Sequence, residues 1–139
     1  MPKIARAVRE FVRQRAQDRC EYCVSPTWLT GQLHEIDHIL PRALGGDSNP
    51  ENLCLACASC NGQKRDYVEA QDPLTGETVA LFHPRKHEWK SHFEWSADGL
   101  TILGRTAIGR AAVILLAMNH SLIVSARSFW VDLGVHPPD

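Results

Sequence analysis

The chain has no apolar run approaching the ~20 residues of a membrane span. Its longest apolar stretch, Ala111 to Met118, fits a buried helix instead. No charged-then-apolar leader ending in small residues is recognisable, so no signal peptide is expected. An excess of charge of one sign is also missing. Lys and Arg number 15 against 16 Asp and Glu, for a formal net charge of −1, which argues against avid nucleic-acid binding by bulk charge. An even set of cysteines is missing too: the count is five. An odd count without a leader speaks against a disulfide framework and for reduced thiols in a cytoplasmic protein. Internal repeats and low-complexity tracts are absent.

What is there suffices for a core. With 139 residues, 44% of them hydrophobic, the chain is expected to form a single domain over 1–139, with a motif core at about 19–66 and an extension at about 70–139. Residues 1–19 hold six of the cations, Lys3, Arg6, Arg9, Arg13, Arg15 and Arg19, against Glu10 and Asp18. A helix over 3–17 would put Arg6, Arg9 and Arg13 on one side and Ile4, Val8, Phe11 and Val12 on the other.

The densest signal follows that helix. Cys20-Glu-Tyr-Cys23 and Cys57-Ala-Ser-Cys60 are two CxxC knuckles, each able to give two thiolates to one tetrahedral zinc. Four thiolates saturate the ion, so the reading is a closed structural site that ties the segment's ends together. The fifth cysteine, Cys54, reads as a small buried core residue. Between the knuckles, Leu33 and Ile36 alternate with polar residues in a strand over 32–38 that turns back around 39–41. Pro41, Gly45, Gly46, Asp47, Ser48, Asn49 and Pro50 make 41–52 a loop, and a short helix is expected over 58–66. Strand, loop, strand and helix around a metal is a ββα arrangement. The strand carries Asp37 and His38, a carboxylate suited to a hard cation and an imidazole suited to a base near neutral pH. Adjacent residues of a strand point to opposite faces, so the hairpin has to bend for both to serve one phosphate.

His34-Glu35-Ile36-Asp37-His38-Ile39-Leu40-Pro41-Arg42, then Gly45-Gly46, Asn52-Leu53-Cys54 and Cys57-Ala58-Ser59-Cys60-Asn61-Gly62-Gln63-Lys64, together resemble the HNH endonuclease family in its zinc-knuckle form. The resemblance covers about a third of the chain. It implies an α+β fold: a ββα-metal core stapled by a four-cysteine zinc site, with an N-terminal helix and a C-terminal extension of a hairpin plus two helices. It implies metal-dependent hydrolysis of DNA, double-stranded, leaving 5′-phosphate and 3′-hydroxyl ends. Carried over residue by residue, Asp37 and Asn61 would hold the catalytic divalent cation (Mg²⁺, or another such as Mn²⁺ or Ni²⁺). His38 would be the general base, and Asn52 would hold the loop and the base in place. Asn61 stands where the family's name has its last His, and as a neutral ligand it implies modest metal affinity. The zinc on Cys20, Cys23, Cys57 and Cys60 would be structural. Arg42 and Lys64, beside the site, are candidates to neutralise phosphate, and His34 and Glu35 to position the hairpin or reach the metal.

Beyond residue 70, 72–77 reads as a turn, 79–82 as a strand and 89–95 as partly alternating. Ala97-Asp98-Gly99 is a hairpin turn answered by a strand over 100–103. Thr106 is a cap for a helix running to about Met118, and a last helix runs from about Ser121 to Gly134. His83, His87, His92, His120 and His136 read as ordinary residues, with His83 placed to approach the site, and Trp89, Trp95 and Trp130 as core. Two other classes compete: a non-catalytic zinc module that binds nucleic acid or protein, and a rubredoxin-like iron site. Nothing in the sequence shows an interface between copies.

Overall fold

A computed structural model describes residues 3–139. The chain divides into two compact units, one of Met1–Val68 with His83–Lys86, the other of Glu69–Phe82 with His87–Asp139. Both mix short helices with two-stranded antiparallel pairs, an α+β organisation. Among the described residues, no helix is long and apolar enough to cross a membrane.

The first unit opens with α1, Arg6–Arg15. Val8 and Val12 of the helix, with Ile4 before it and Ala16 after it at the same four-residue spacing, pack with Ile36 on Leu53 and Leu55, the unit's apolar centre. Phe11 falls outside that row and stays 49% exposed, with the Arg15 guanidinium over its ring. The same guanidinium donates to the carbonyls of Pro50 (3.0 Å) and Leu53 (2.7 Å), tying the helix to the strand beneath it. A single helical turn, α2 (Thr27–Thr30), follows the first knuckle.

Strands β1 (Glu35–His38) and β2 (Leu53–Ala56) pair antiparallel, with Asp37 opposite Cys54 and His38 opposite Leu53. Every residue of β2 is buried, as an apolar strand between two covering layers requires. Helix α3 (Ala58–Lys64) follows directly and completes the ββα arrangement. Its N-cap is Cys57, whose sulfur accepts from the Cys60 backbone N–H.

The second unit holds β3 (Glu69–Gln71) and β4 (Thr78–Ala80), a hairpin whose first strand has no sequence signal beyond a turn. Then come α4 (Trp89–His92), β5 (Phe93–Trp95) and β6 (Ile102–Gly104), with Phe93 opposite Gly104. The expected alternation over 89–95 holds only for its second half, because the first forms a helical turn. Helix α5 (Ala107–Leu115) is capped by Thr106, whose hydroxyl accepts from the Gly109 N–H. It lies so close to the preceding segment that a Cβ on Gly109 would stand 1.9 Å from the His92 carbonyl oxygen. Helix α6 runs Ser121–Asp132. Phe82, Phe93, Ile102, Ala111, Ala112, Leu116, Met118 and Trp130 are buried.

Candidate metal and nucleotide-cleavage site

Cys20, Cys23, Cys57 and Cys60 converge, all four sulfurs within 4.8 Å of one another. Cys23 and Cys57 are 3.7 Å apart, close to the edge of about 3.8 Å that a tetrahedron with zinc–sulfur bonds of about 2.3 Å has. In each knuckle the first sulfur accepts from the backbone N–H of the second cysteine, at 3.4 Å. Val24, just past the first knuckle, is held at φ +68°, an uncommon conformation for a β-branched residue. The protonation chemistry also suits a cation. Burial, then hydrogen bonds with Cys23 and Cys57, push the Cys20 thiol well up, while hydrogen bonds from Cys20, Cys57 and Cys60 pull Cys23 well down. Such a buried set tolerates one thiolate and resists the next. A divalent cation is what lets all four ionise, so the donor set fits zinc. His34, also buried, sets its Nε2 2.7 Å from the Ser25 carbonyl and so joins the start of the hairpin to this corner.

The strand above it separates its two polar residues as strand geometry dictates. Asp37 points inward and is 6% exposed. Its Oδ2 accepts from the Tyr22 hydroxyl at 2.8 Å, and the Cys54 thiol lies 3.6 Å away. Burial first, then the adjacent Cys54 and Asp37, raise the Tyr22 pKa well above the usual tyrosine range, so the hydroxyl stays a donor. Burial and Asp37 do the same to Cys54, which is buried as expected. Asn61, on α3, donates from its amide to Glu35 at 3.3 Å. Glu35 and Asp37 are two apart on β1 and share a face, and α3 packs on that strand.

Lys64 differs from its expectation. A phosphate-neutralising lysine keeps its head in water, but Lys64 is 1% exposed. Its ammonium bridges both oxygens of Asp37 (3.3 and 3.2 Å) and donates to the carbonyls of His38 (3.0 Å) and Ile39 (3.1 Å). It neutralises a protein carboxylate. Nothing in the spacing of the helix signals this, because the burial arises from how α3 docks on β1.

His38, the last residue of β1, faces the loop. Its Nε2 accepts from Arg42 Nε at 3.1 Å, and the Ser48 hydroxyl lies 3.0 Å from the same nitrogen. Burial, then the Arg42 charge with a smaller push from Lys64, lower its pKa below the ordinary histidine value, while Asp37 and Asp47 oppose this. An Nε2 that accepts from a guanidinium belongs to a neutral ring. Asn52 clasps the loop around this group. It accepts from the Leu40 N–H (2.8 Å) and donates to the carbonyls of Leu40 (3.0 Å) and Asp47 (2.8 Å). The loop comes so close that a Cβ on Gly46 would stand 1.7 Å from the Leu40 carbonyl oxygen.

Residues 20–66 match the HNH endonuclease family. The match spans both knuckles, β1, β2, the loop between them and α3, and so every group described above. The HNH segment is also similar to a curated protein: 52 residues of this chain are 46% identical to the CRISPR-associated endonuclease Cas9 of Corynebacterium diphtheriae. That alignment covers 37% of this chain and 5% of that protein. No solved structure matches the chain.

The remaining histidines have partners of their own, His87 lying against the rings of Phe82 and His92. His83 Nδ1 accepts from the Arg85 and Lys86 N–H groups within its own turn. His92 pairs with Thr106 at 2.6 Å, His120 accepts from the Ile123 N–H, and His136 lies 3.0 Å from the Gly99 carbonyl. Among the tryptophans Trp130 is buried, and Trp89 and Trp95 are half-buried.

The sequence reading missed Tyr22, Ser48 and Glu21. Glu21 accepts from the Leu55 N–H at 2.8 Å and is ion-paired with Arg85. Tyr22 and Glu21 are the two middle residues of the first knuckle, a position that alone says nothing of where they point.

Proposed function

We propose that the chain is a metal-dependent endonuclease that hydrolyses phosphodiester bonds in double-stranded DNA, with His38 as general base and a structural zinc on Cys20, Cys23, Cys57 and Cys60. The observation that carries the reading is His38 itself: a neutral, half-buried imidazole at the end of β1 whose Nε2 lone pair is held by Arg42 and Ser48. A base kept neutral is ready to take a proton. When a phosphodiester enters, the Arg42 guanidinium passes to a phosphate oxygen, and Nε2 is left to draw a proton from the attacking water. Asn52, by pinning both backbone groups of Leu40, fixes the bend that follows His38 and so the direction of the ring.

Asp37 and Asn61, with Glu35 beside them, offer two carboxylates and an amide oxygen, donors suited to a hard cation. These residues therefore fit a Mg²⁺- or Mn²⁺-type ion, which when bound supplies Lewis-acid stabilisation of charge on the phosphate oxygens.

Nicking of supercoiled plasmid at low salt, with Mg²⁺, Mn²⁺ or Ni²⁺ added in turn and EDTA as control, tests the proposal. Metal-dependent nicking is expected, with His38→Ala lowering the rate about 10²- to 10⁴-fold at unchanged zinc content. Nicking that persists in His38→Ala would remove the base assignment. A second reading, a non-catalytic zinc module, is favoured by one observation, the Lys64 ammonium that already satisfies Asp37. A folded, zinc-loaded protein that fails to nick with any of the three metals would support it.

A further inference from the structure

Lys64 is among the most deeply buried side chains of the molecule, and its surroundings have a specific chemistry. Its ammonium touches a carboxylate and two consecutive backbone carbonyls, all at 3.0–3.3 Å. Those are oxygen ligands, the class a hard divalent cation takes. The carboxylate is Asp37, assigned above to such a cation. Two positive groups thus have a claim on one anion.

We infer that the Lys64 ammonium is a built-in competitor for the divalent cation at Asp37, so that the site gains high metal affinity only when a DNA phosphate brings further negative charge. The inference rests on Asp37 being a metal ligand. Asp37 and Lys64 cancel, Asn61 is neutral, and Glu35 contributes the one uncompensated carboxylate on that face of β1. A dication approaching this set alone is repelled by an ammonium a few ångströms from its first ligand, in a buried place where screening is weak. A bound phosphodiester adds a negative charge and shifts the balance towards the metal. Lys64 is in this sense a positioning residue, acting through Asp37 and through the His38 and Ile39 carbonyls that it anchors.

The test is Mn²⁺ binding to the zinc-loaded protein without DNA, read by the electron paramagnetic resonance of free Mn²⁺. Lys64→Met is expected to bind Mn²⁺ at least about ten-fold more tightly than wild type, and Lys64→Arg within about three-fold of it. Asp37→Asn is expected to lose the site. A purely structural lysine would give the opposite sign, weaker binding in the Met variant. Equal or weaker binding by Lys64→Met, with zinc content and melting temperature kept, overturns the inference. Should that variant fail to retain zinc, the wild-type protein decides through the ¹⁵N resonance of the Lys64 ammonium during a Mg²⁺ titration. Movement of that resonance to saturation supports competition, and an unmoved resonance at saturating Mg²⁺ overturns it. Wild-type protein that nicks DNA while these results go the wrong way sinks only the competitor role. Absence of nicking together with absence of Mn²⁺ binding in wild type and Lys64→Met sinks the nuclease reading and this inference with it.

Discussion

The two units are built on different sources of stability. The first has a small apolar centre, Val12, Leu53 and Leu55 with their half-buried neighbours, and much of its remaining interior is polar or sulfur: four clustered thiols, Asp37, Lys64, His34 and the Tyr22 hydroxyl. The second buries aromatic and aliphatic bulk, with Phe82 and Phe93 edge to face at 5.0 Å. Its buried charges serve packing. Asp72 is held by both arms of Arg110 at 2.9 Å, and Arg127 fills the space under Trp95 while donating to the Leu100 and Met118 carbonyls and to Asn119. The lesson concerns where polar groups are kept. A region whose interior is taken up by ionic and polar groups has little left for hydrophobic stabilisation, and a metal on its four clustered thiols would compensate.

The largest effect that can break this contrast is loss of the staple. Cys57→Ser, or stripping of zinc, removes on the order of 10 kcal/mol from the first unit. Amide exchange should then show protection lost over 19–66 and retained in α5 and α6. Protection lost equally in both would mean the units do not differ as described. Next comes Arg127→Leu, which takes the guanidinium from the Leu100 and Met118 carbonyls and from Asn119, whose Oδ1 keeps only the Ile102 N–H, and is expected to cost the second unit about 3 kcal/mol. Tryptophan fluorescence reads it, because three of the four tryptophans, Trp89, Trp95 and Trp130, lie there, and zinc content should not change. Gly46→Ala comes third, at about 2 kcal/mol, since the added carbon meets the Leu40 carbonyl. It should loosen the Leu40 amide in exchange experiments and slow nicking, leaving the second unit's melting unaffected.

The smallest effect depends on pH. Hydrogen bonds from Arg110 hold the Asp72 carboxyl well below the usual carboxylate range, with Leu74 and Thr75 assisting. A group whose pKa is depressed by folding contributes stability that is complete above its unfolded value, near 3.9, and is lost as pH falls below that towards the folded one. Melting of the second unit should therefore fall on acidification through pH about 4, and less steeply in Asp72→Asn. Equal slopes would place the acid sensitivity elsewhere, for instance at Asp98, which Ser96 and the Leu100 N–H also hold low.

What could be read in advance was what depends on neighbours in sequence. The CxxC spacing forecast the thiol cluster, Thr106 forecast a helix start, and Ala97-Asp98-Gly99 forecast the turn between β5 and β6. Strand β3 escaped because Glu69-Ala70-Gln71 has one apolar residue, and its strand state comes from pairing with 78–80. The burial of Lys64 and Asp72 escaped because a charged residue's partner is set by tertiary docking. Arg127 left a trace that went unused: it is the lone charge in Leu122–Val131, a run otherwise apolar except for Ser125 and Ser128. Asp37 and His38 were legible as a pair, but their separate partners, Tyr22 and Lys64 on one side, Arg42 and Ser48 on the other, were not.

The sulfur of Cys57 is both a corner of the thiol cluster and the cap of α3. The cluster is therefore the origin from which the angular phase of that helix is counted. Asn61 and Lys64 stand four and seven positions from it, one and two turns along, which returns both to nearly the same bearing as the cap. One residue inserted between Cys60 and Asn61 would leave every ligand sulfur in place and turn the amide and the ammonium about 100° away from β1. The knuckle thus sets the compass heading at which the amide and the ammonium meet the strand.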